Sequence, residues 1–153
     1  IHVTVLSIIS CVEGFQLGDI PVPQYLATLE RSLAEIDSFE IDYRGITASR
    51  SSIMIQGFPK DETLELLRER LRVNFLSSGL HQTMDARYKL STAHATVFRF
   101  RKPLKDSHGF AAFLRDNRNR DFGGQKVSEL QLVYNDWYHR PEKSTTLATF
   151  ELP

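Results

Sequence analysis

The spacing of apolar residues along the chain predicts alternating strands and helices. A run of β-branched and apolar residues at 2–10 predicts a strand, and a loop containing Gly and Pro follows it. Two later segments carry apolar residues at spacings of three and four, which is typical of amphipathic helices. These residues are Leu26, Leu29, Leu33 and Ile36 in the first helix and Leu64, Leu67, Leu71 and Phe75 in the second.

Strict alternation of apolar and polar residues predicts the strands. Residues 39–45 and 52–58 are expected to form two strands around a polar turn at 48–51. In the second half of the chain the pattern predicts strands near 88–101, 126–137 and 145–152, and a short helix near 109–115. Asp61 is the expected N-cap of the second helix and Gly79 its end. Sheets covered by helices indicate the α+β class.

The order of elements in the second half repeats that of the first in outline. We therefore expect one domain, residues 1–153, made of two pseudo-symmetric lobes at about 1–80 and 81–153, with the chain able to cross between them. Each lobe is expected to be an antiparallel sheet with helices on its outer face, with an active groove between the lobes. Because the sequence begins inside a predicted strand, we also expect residues upstream of Ile1.

Composition narrows the classes of partner. The 19 Lys and Arg residues balance the 19 Asp and Glu residues, so no electrostatic affinity for long duplex nucleic acid or an anionic membrane is expected. No apolar run approaches the roughly 20 residues that span a bilayer. The single cysteine, Cys11, has no partner for an internal disulfide, which suits a reducing compartment. We expect a cytoplasmic monomer.

One small pattern occurs in each half of the chain. His2-Val3-Thr4-Val5 and His94-Ala95-Thr96-Val97 both place a histidine two residues before a threonine, between apolar neighbours. Side chains of a strand alternate between its faces, so each copy presents an imidazole and a hydroxyl on the same face. Two copies in two related halves indicate a shared site.

With these two H-x-T strands and the duplicated order of elements, the chain resembles the 2H phosphoesterase superfamily, which includes RNA 2′,3′-cyclic phosphodiesterases and 2′-5′ RNA ligase-like proteins. The resemblance covers nearly the whole chain and is supported by the late strand pair at 130–134 and 147–152. It implies a groove to which each lobe contributes one H-x-T pair. Some members have proline before the second histidine, where this chain has Ala93.

Two histidines suit the hydrolysis of a phosphodiester without a metal. Attack in line at phosphorus needs one group to accept a proton from water and another to protonate the leaving oxygen, and imidazole can do either near neutral pH. His2 and His94 are the candidate acid and base, in an order that the sequence leaves open. Thr4 and Thr96 are the candidates for binding the phosphate oxygens. The expected substrate is a nucleotide or an RNA end, and no cofactor is expected.

Three further residues are candidates for binding substrate. Arg99 lies where several relatives carry a phosphate-binding arginine, but alternation places it opposite His94 unless a bulge or twist intervenes. A solvated arginine in a charged run explains it equally well. Tyr134 and Trp137 are candidates for lining the groove.

Other interpretations receive less support. His81 and His108 resemble loop histidines, and His139 follows an aromatic pair in an exposed hairpin or in the core. A zinc site is disfavoured because neither H-E-x-x-H nor C-x-x-C is present. A nucleotide- or RNA-end-binding module with little or no turnover is the alternative function, since histidine and threonine can bind phosphate without completing catalysis.

Overall fold

The computed structural model describes residues 1–136 and 140–153. It is an α+β fold with three α-helices, a curled antiparallel four-stranded sheet shaped like half a barrel, and a separate two-stranded sheet. The helices are α1 (Val22–Leu33), α2 (Thr63–Ser78) and α3 (Ser107–Asp116). The strands are β1 (Phe39–Ala48), β2 (Ser52–Pro59), β3 (Ala93–Arg99), β4 (Asp121–Val127), β5 (Glu129–Tyr134) and β6 (Thr145–Glu151).

The four-stranded sheet has the order β3-β2-β1-β4, so it takes two strands from each half of the chain. β1 and β2 form the hairpin that the alternating pattern predicts. β5 and β6 pair with each other in the second sheet. The α+β class is confirmed.

Helices α1 and α2 pack on one face of the four-stranded sheet. Strand residues that alternate along that face, including Phe39, Ile41 and Ala93, are buried together with Leu67 and Phe75 of α2. α2 ends at Gly79, which adopts a left-handed conformation (φ 71°), as predicted. Asp61 lies one residue before the N-cap, Glu62, and its Oδ1 accepts the amide of Thr63 at 2.8 Å.

The prediction of a strand over 2–10 is wrong. Within that range the structure has one isolated antiparallel bridge, between Val3 and Ala95. The apolar residues of the segment still pack against the core, but other groups bind its backbone. The Ile8 carbonyl accepts the amide of Thr83 at 2.8 Å, and the Thr83 hydroxyl accepts the amide of Ser10 at 2.8 Å. These contacts hold the segment without a continuous ladder.

The second half also differs from its predicted strands. The strand expected at 88–101 is confined to β3, and the one expected at 126–137 is two strands, β4 and β5, that belong to different sheets. Their separation occurs at Ser128, whose carbonyl accepts the amide of Leu152 at 2.8 Å. The chain therefore leaves the first sheet after one strand and enters the second with the next.

Candidate functional site

The bridge between Val3 and Ala95 brings the two H-x-T motifs side by side. In an antiparallel pairing centred on these residues, His2 lies opposite Thr96 and Thr4 lies opposite His94. Cβ atoms of directly opposite residues are about 4.5–5.5 Å apart. The histidine of each motif thus neighbours the threonine of the other.

All four side chains belong to one face of this pairing. Val3 and Ala95 turn toward the core, where Ala95 is buried and Val3 packs against buried residues. Along β3, His94 and Thr96 flank Ala95 and occupy the opposite face. In the N-terminal segment Val3 and Val5 both pack against the core, so we assign Thr4 and His2 to that same opposite face at the bridge. We call this the histidine face; through the register with β2 it also includes Met54, opposite Thr96, and Gln56, opposite His94. Thr4, His94 and Thr96 are half-buried there and His2 is exposed.

A buried arginine of α2 holds the two motif-bearing segments together. Arg68 is 1% exposed. Its Nε donates to the carbonyl of Val5 at 2.9 Å, and its Nη2 donates to the carbonyl of Thr92 at 2.9 Å and to that of Thr4 at 3.5 Å. One guanidinium therefore binds the backbone next to both histidines.

The surroundings of His94 favour the neutral form of its imidazole. Burial lowers the pKa of its imidazole, and the positive charge of Arg68 lowers that pKa further. Its Nδ1 is 3.5 Å from the hydroxyl of Thr92. A neutral imidazole at neutral pH can accept a proton, as a general base must.

A titration tests this depressed pKa. We expect the NMR shift of the His94 ring to titrate with a midpoint below the ordinary histidine value of about 6.5, with the resonance assigned by its absence in His94→Gln. Because the unfolded chain then binds this proton more readily than the native state does, His94 contributes a rise in the free energy of unfolding as the pH increases from the native pKa to about 6.5. A midpoint at or above that value would contradict the burial and charge described above.

Arg99 lies on the same side of β3 as His94. Ile53 of β2 pairs with Phe98, whereas the next residue, Met54, pairs with Thr96, so Val97 is an extra residue on β3. Such a bulge shifts the alternation by one position. Arg99 pairs with Ser52, which shares its face of β2 with Met54. The bulge that Arg99 needs in order to share a face with His94 is therefore present in β3.

A cavity of about 470 Å³ adjoins His94 on the β2 side. Its walls come from β1, β2, the start of β3 and the segment that leads into β3. Its lining includes Thr47, Met54, Gln56, Phe58, Thr92 and His94. A ligand group bound next to His94 can extend into this space.

Of the other histidine and aromatic candidates, the structure describes Tyr134, His81 and His108. Tyr134 ends β5; its hydroxyl donates to the carbonyl of Phe15 at 3.3 Å, and the two rings meet edge to face with centroids 6.0 Å apart. Trp137 and His139 lie outside the described residues. His81 is in the segment between α2 and β3, but His108 is in the first turn of α3, so its prediction as a loop histidine is wrong.

Sequence reasoning missed Arg68 and the lining of the cavity. A usable pattern for Arg68 was present, because it falls within the apolar stripe of α2, beside Leu67 and one turn after Leu64. A cation at a core position predicts a buried hydrogen-bonding role. The contribution of β2 to the cavity had no such pattern, since it depends on register.

Among residues 1–136 and 140–153, no group of three or more His, Cys, Asp or Glu side chains is arranged to hold a metal ion. None of the helices described there is long and apolar enough to cross a bilayer.

No protein-family model matches the sequence, and the curated proteins searched contain no match to it.

Proposed function

We propose that this chain is a metal-independent phosphodiesterase that hydrolyses a 2′,3′-cyclic phosphate or a 2′-5′ phosphodiester in RNA or a small nucleotide. The observation that carries the proposal is the Val3–Ala95 bridge, which brings both H-x-T motifs to the histidine face. Acid and base catalysis requires two proton-transferring groups within reach of one substrate. The N-terminal segment and β3, which are neighbours at this bridge, would supply the two groups.

In the proposed reaction, His94 accepts a proton from water as the water oxygen bonds to phosphorus. The bond from phosphorus to one ribose oxygen breaks, and His2 donates the proton which that oxygen gains. His94 receives the role of base because burial and Arg68 lower its pKa, whereas His2 is exposed. For a 2′,3′-cyclic phosphate, the product is a nucleoside monophosphate.

The threonines and Arg99 are proposed to bind the non-bridging phosphate oxygens. Thr4 and Thr96 each lie opposite a histidine of the other motif, so their hydroxyls are next to the reacting groups. Fixed donors stabilise negative charge that redistributes during the displacement. Arg99 adds a positive charge on the same side of β3.

The proposal includes a groove between two lobes, with one motif on each side. Two features support it: the four-stranded and two-stranded sheets are separate, and the N-terminal segment with His2 lies along β3. The contact between Tyr134 and Phe15 also joins β5 to the loop after that segment. Substrate would then lie across the histidine face.

Metal-free turnover tests the proposal. Protein treated with EDTA would be incubated with 2′,3′-cyclic nucleotides and with 2′-5′ and 3′-5′ linked dinucleotides, and products would be separated by chromatography. We expect cleavage by wild type and none by the His2→Ala/His94→Ala double variant, with the phosphate position in the product identifying the bond broken. Binding of these ligands without cleavage would instead support the nucleotide-binding module.

Arg99 yields a separate prediction. Since hydrogen bonds to charged groups contribute about 1.5–3 kcal/mol, Arg99→Ala is expected to lower kcat/KM by about 10- to 100-fold. Arg101→Ala is the matched control, because Arg101 is an exposed arginine beyond the end of β3. Equal kinetics for the two variants would remove Arg99 from the phosphate site.

A further inference from the structure

The cavity beside His94 has a lining that suits an uncharged flat group. The residues around it are apolar or carry hydroxyl and amide groups, and apart from the His94 imidazole none of them is ionisable. Met54 and Phe58 supply apolar surface, while Thr47, Gln56 and Thr92 supply hydrogen-bonding atoms. A second phosphate would lose its hydration there, and the lining residues themselves offer it no lysine or arginine. A heterocycle with polar edges would keep both kinds of contact.

Phe58 is the aromatic residue of this lining. It is 37% exposed, and the guanidinium carbon of Arg44 lies 4.4 Å from its ring centroid. This cation contact covers one part of the ring and restrains the side chain, while Phe58 also lines the cavity. Phe58 also lies on the same side of β2 as Gln56 and Met54, two and four residues away. Its ring is therefore available on the side of the sheet that carries His94.

We infer that this cavity binds the nucleobase of the substrate, with Phe58 as its stacking surface. The inference rests on the proposed function, which puts the phosphate beside His94. Because His94 is itself part of the cavity wall, a ribose bonded to that phosphate can direct its base into the cavity. Stacking on an aromatic ring tolerates different bases, whereas the polar atoms of Thr47 and Gln56 can bind their edges. The substrate class is then a nucleoside phosphodiester rather than a phosphodiester of a simple sugar.

A pair of ligands that differ at one position tests the inference. Calorimetry would compare adenosine 2′-monophosphate with methyl β-D-ribofuranoside 2-phosphate, which has a methoxy group in place of the base. From the energy of base stacking on aromatic residues, we expect wild type to bind the nucleotide about 5- to 150-fold more tightly. Equal affinities, or no binding of either compound, would overturn the inference.

Variants of Phe58 then locate the source of that preference. Phe58→Ala and Phe58→Leu should both lose most of the affinity ratio, since leucine keeps apolar volume but no ring. Phe122→Ala is the matched control. Phe122 is 39% exposed and also has an arginine, Arg120, near its ring. It is not one of the described residues that line this cavity. A ratio unchanged in folded Phe58→Leu protein would assign the preference to another surface.

These measurements separate the two proposals. A base-dependent affinity in a protein that cleaves no phosphodiester would refute the hydrolysis and keep the cavity assignment. Turnover of cyclic nucleotides with equal affinities for the two ligands would keep the hydrolysis and refute the cavity assignment. Circular dichroism of each variant establishes that it is folded before its affinity is compared.

Discussion

Replacement of His94 with alanine is expected to lower kcat for a 2′,3′-cyclic nucleotide by about 100- to 10,000-fold, the usual contribution of a positioned acid or base. The imidazole is half-buried on the histidine face, opposite Thr4, and its lowered pKa keeps it neutral and able to accept a proton. Alanine is a small apolar residue that removes the proton acceptor. Initial rates at saturating substrate measure the loss.

His108→Ala is the control for this experiment, because it removes an exposed histidine in α3 and leaves both motifs intact. We expect that control to keep the wild-type kcat. KM should change much less than kcat in His94→Ala, since the threonines and Arg99 still bind phosphate. Wild-type kcat in folded His94→Ala protein would refute the role of His94 as base.

Arg68→Met is expected to lower the free energy of unfolding by about 3–5 kcal/mol. The guanidinium is buried, and three backbone carbonyls, those of Thr4, Val5 and Thr92, accept from it. A buried acceptor left without a donor costs about 1–3 kcal/mol. Methionine keeps an unbranched apolar side chain at the position, so the loss reports mainly the missing hydrogen bonds. Urea unfolding at 25 °C measures it.

Arg70→Met provides the comparison on the same helix. The side chain of Arg70 is 32% exposed, donates to the carbonyl of Ala34 and lies 3.9 Å from the carboxylate of Glu35. We expect Arg70→Met to lower the free energy of unfolding by about 1 kcal/mol, because partly exposed polar contacts contribute little net free energy. Equal losses in Arg68→Met and Arg70→Met would contradict the assignment of Arg68 as the residue that joins the two motifs.

Arg68→Met is also expected to change how kcat depends on pH. The acid limb of that profile is the fall in kcat at low pH, where His94 becomes protonated. Removal of the guanidinium charge takes away one of the two causes that lower the pKa of His94. Under conditions in which the variant is folded, the midpoint of the acid limb should therefore move to higher pH. If Arg68 had only a structural role, Arg68→Met would lower activity without shifting this midpoint.

Local patterns predicted the elements whose formation depends on their own residues. The apolar spacing of α2 and its terminal Gly79 needed no knowledge of other segments, and the alternation in β1 and β2 was sufficient for the hairpin. The segment 2–10 has an equally strong strand pattern. In the structure that segment is irregular, and its backbone binds Arg68 and Thr83, both more than 60 positions away. A contact of that separation leaves no trace in the local pattern.

The same limit applied within the site. Alternation predicts that each histidine shares a face with its threonine, but the pairing of Val3 with Ala95 joins distant parts of the chain. The bulge at Val97 depends on how β3 aligns with β2, so the face of Arg99 could not be deduced from β3 alone. The cavity likewise arises from three strands in register.

A kinetic cycle of the two histidines is the most direct test of the central claim that both motifs form one site. EDTA-treated wild type, His2→Ala, His94→Ala and the double variant would be compared on the same 2′,3′-cyclic nucleotide. The account predicts that each single variant loses at least about 100-fold in kcat and that the double variant loses little more than the worse single variant, because groups that act in one step are not additive. Wild-type turnover in either single variant would contradict it.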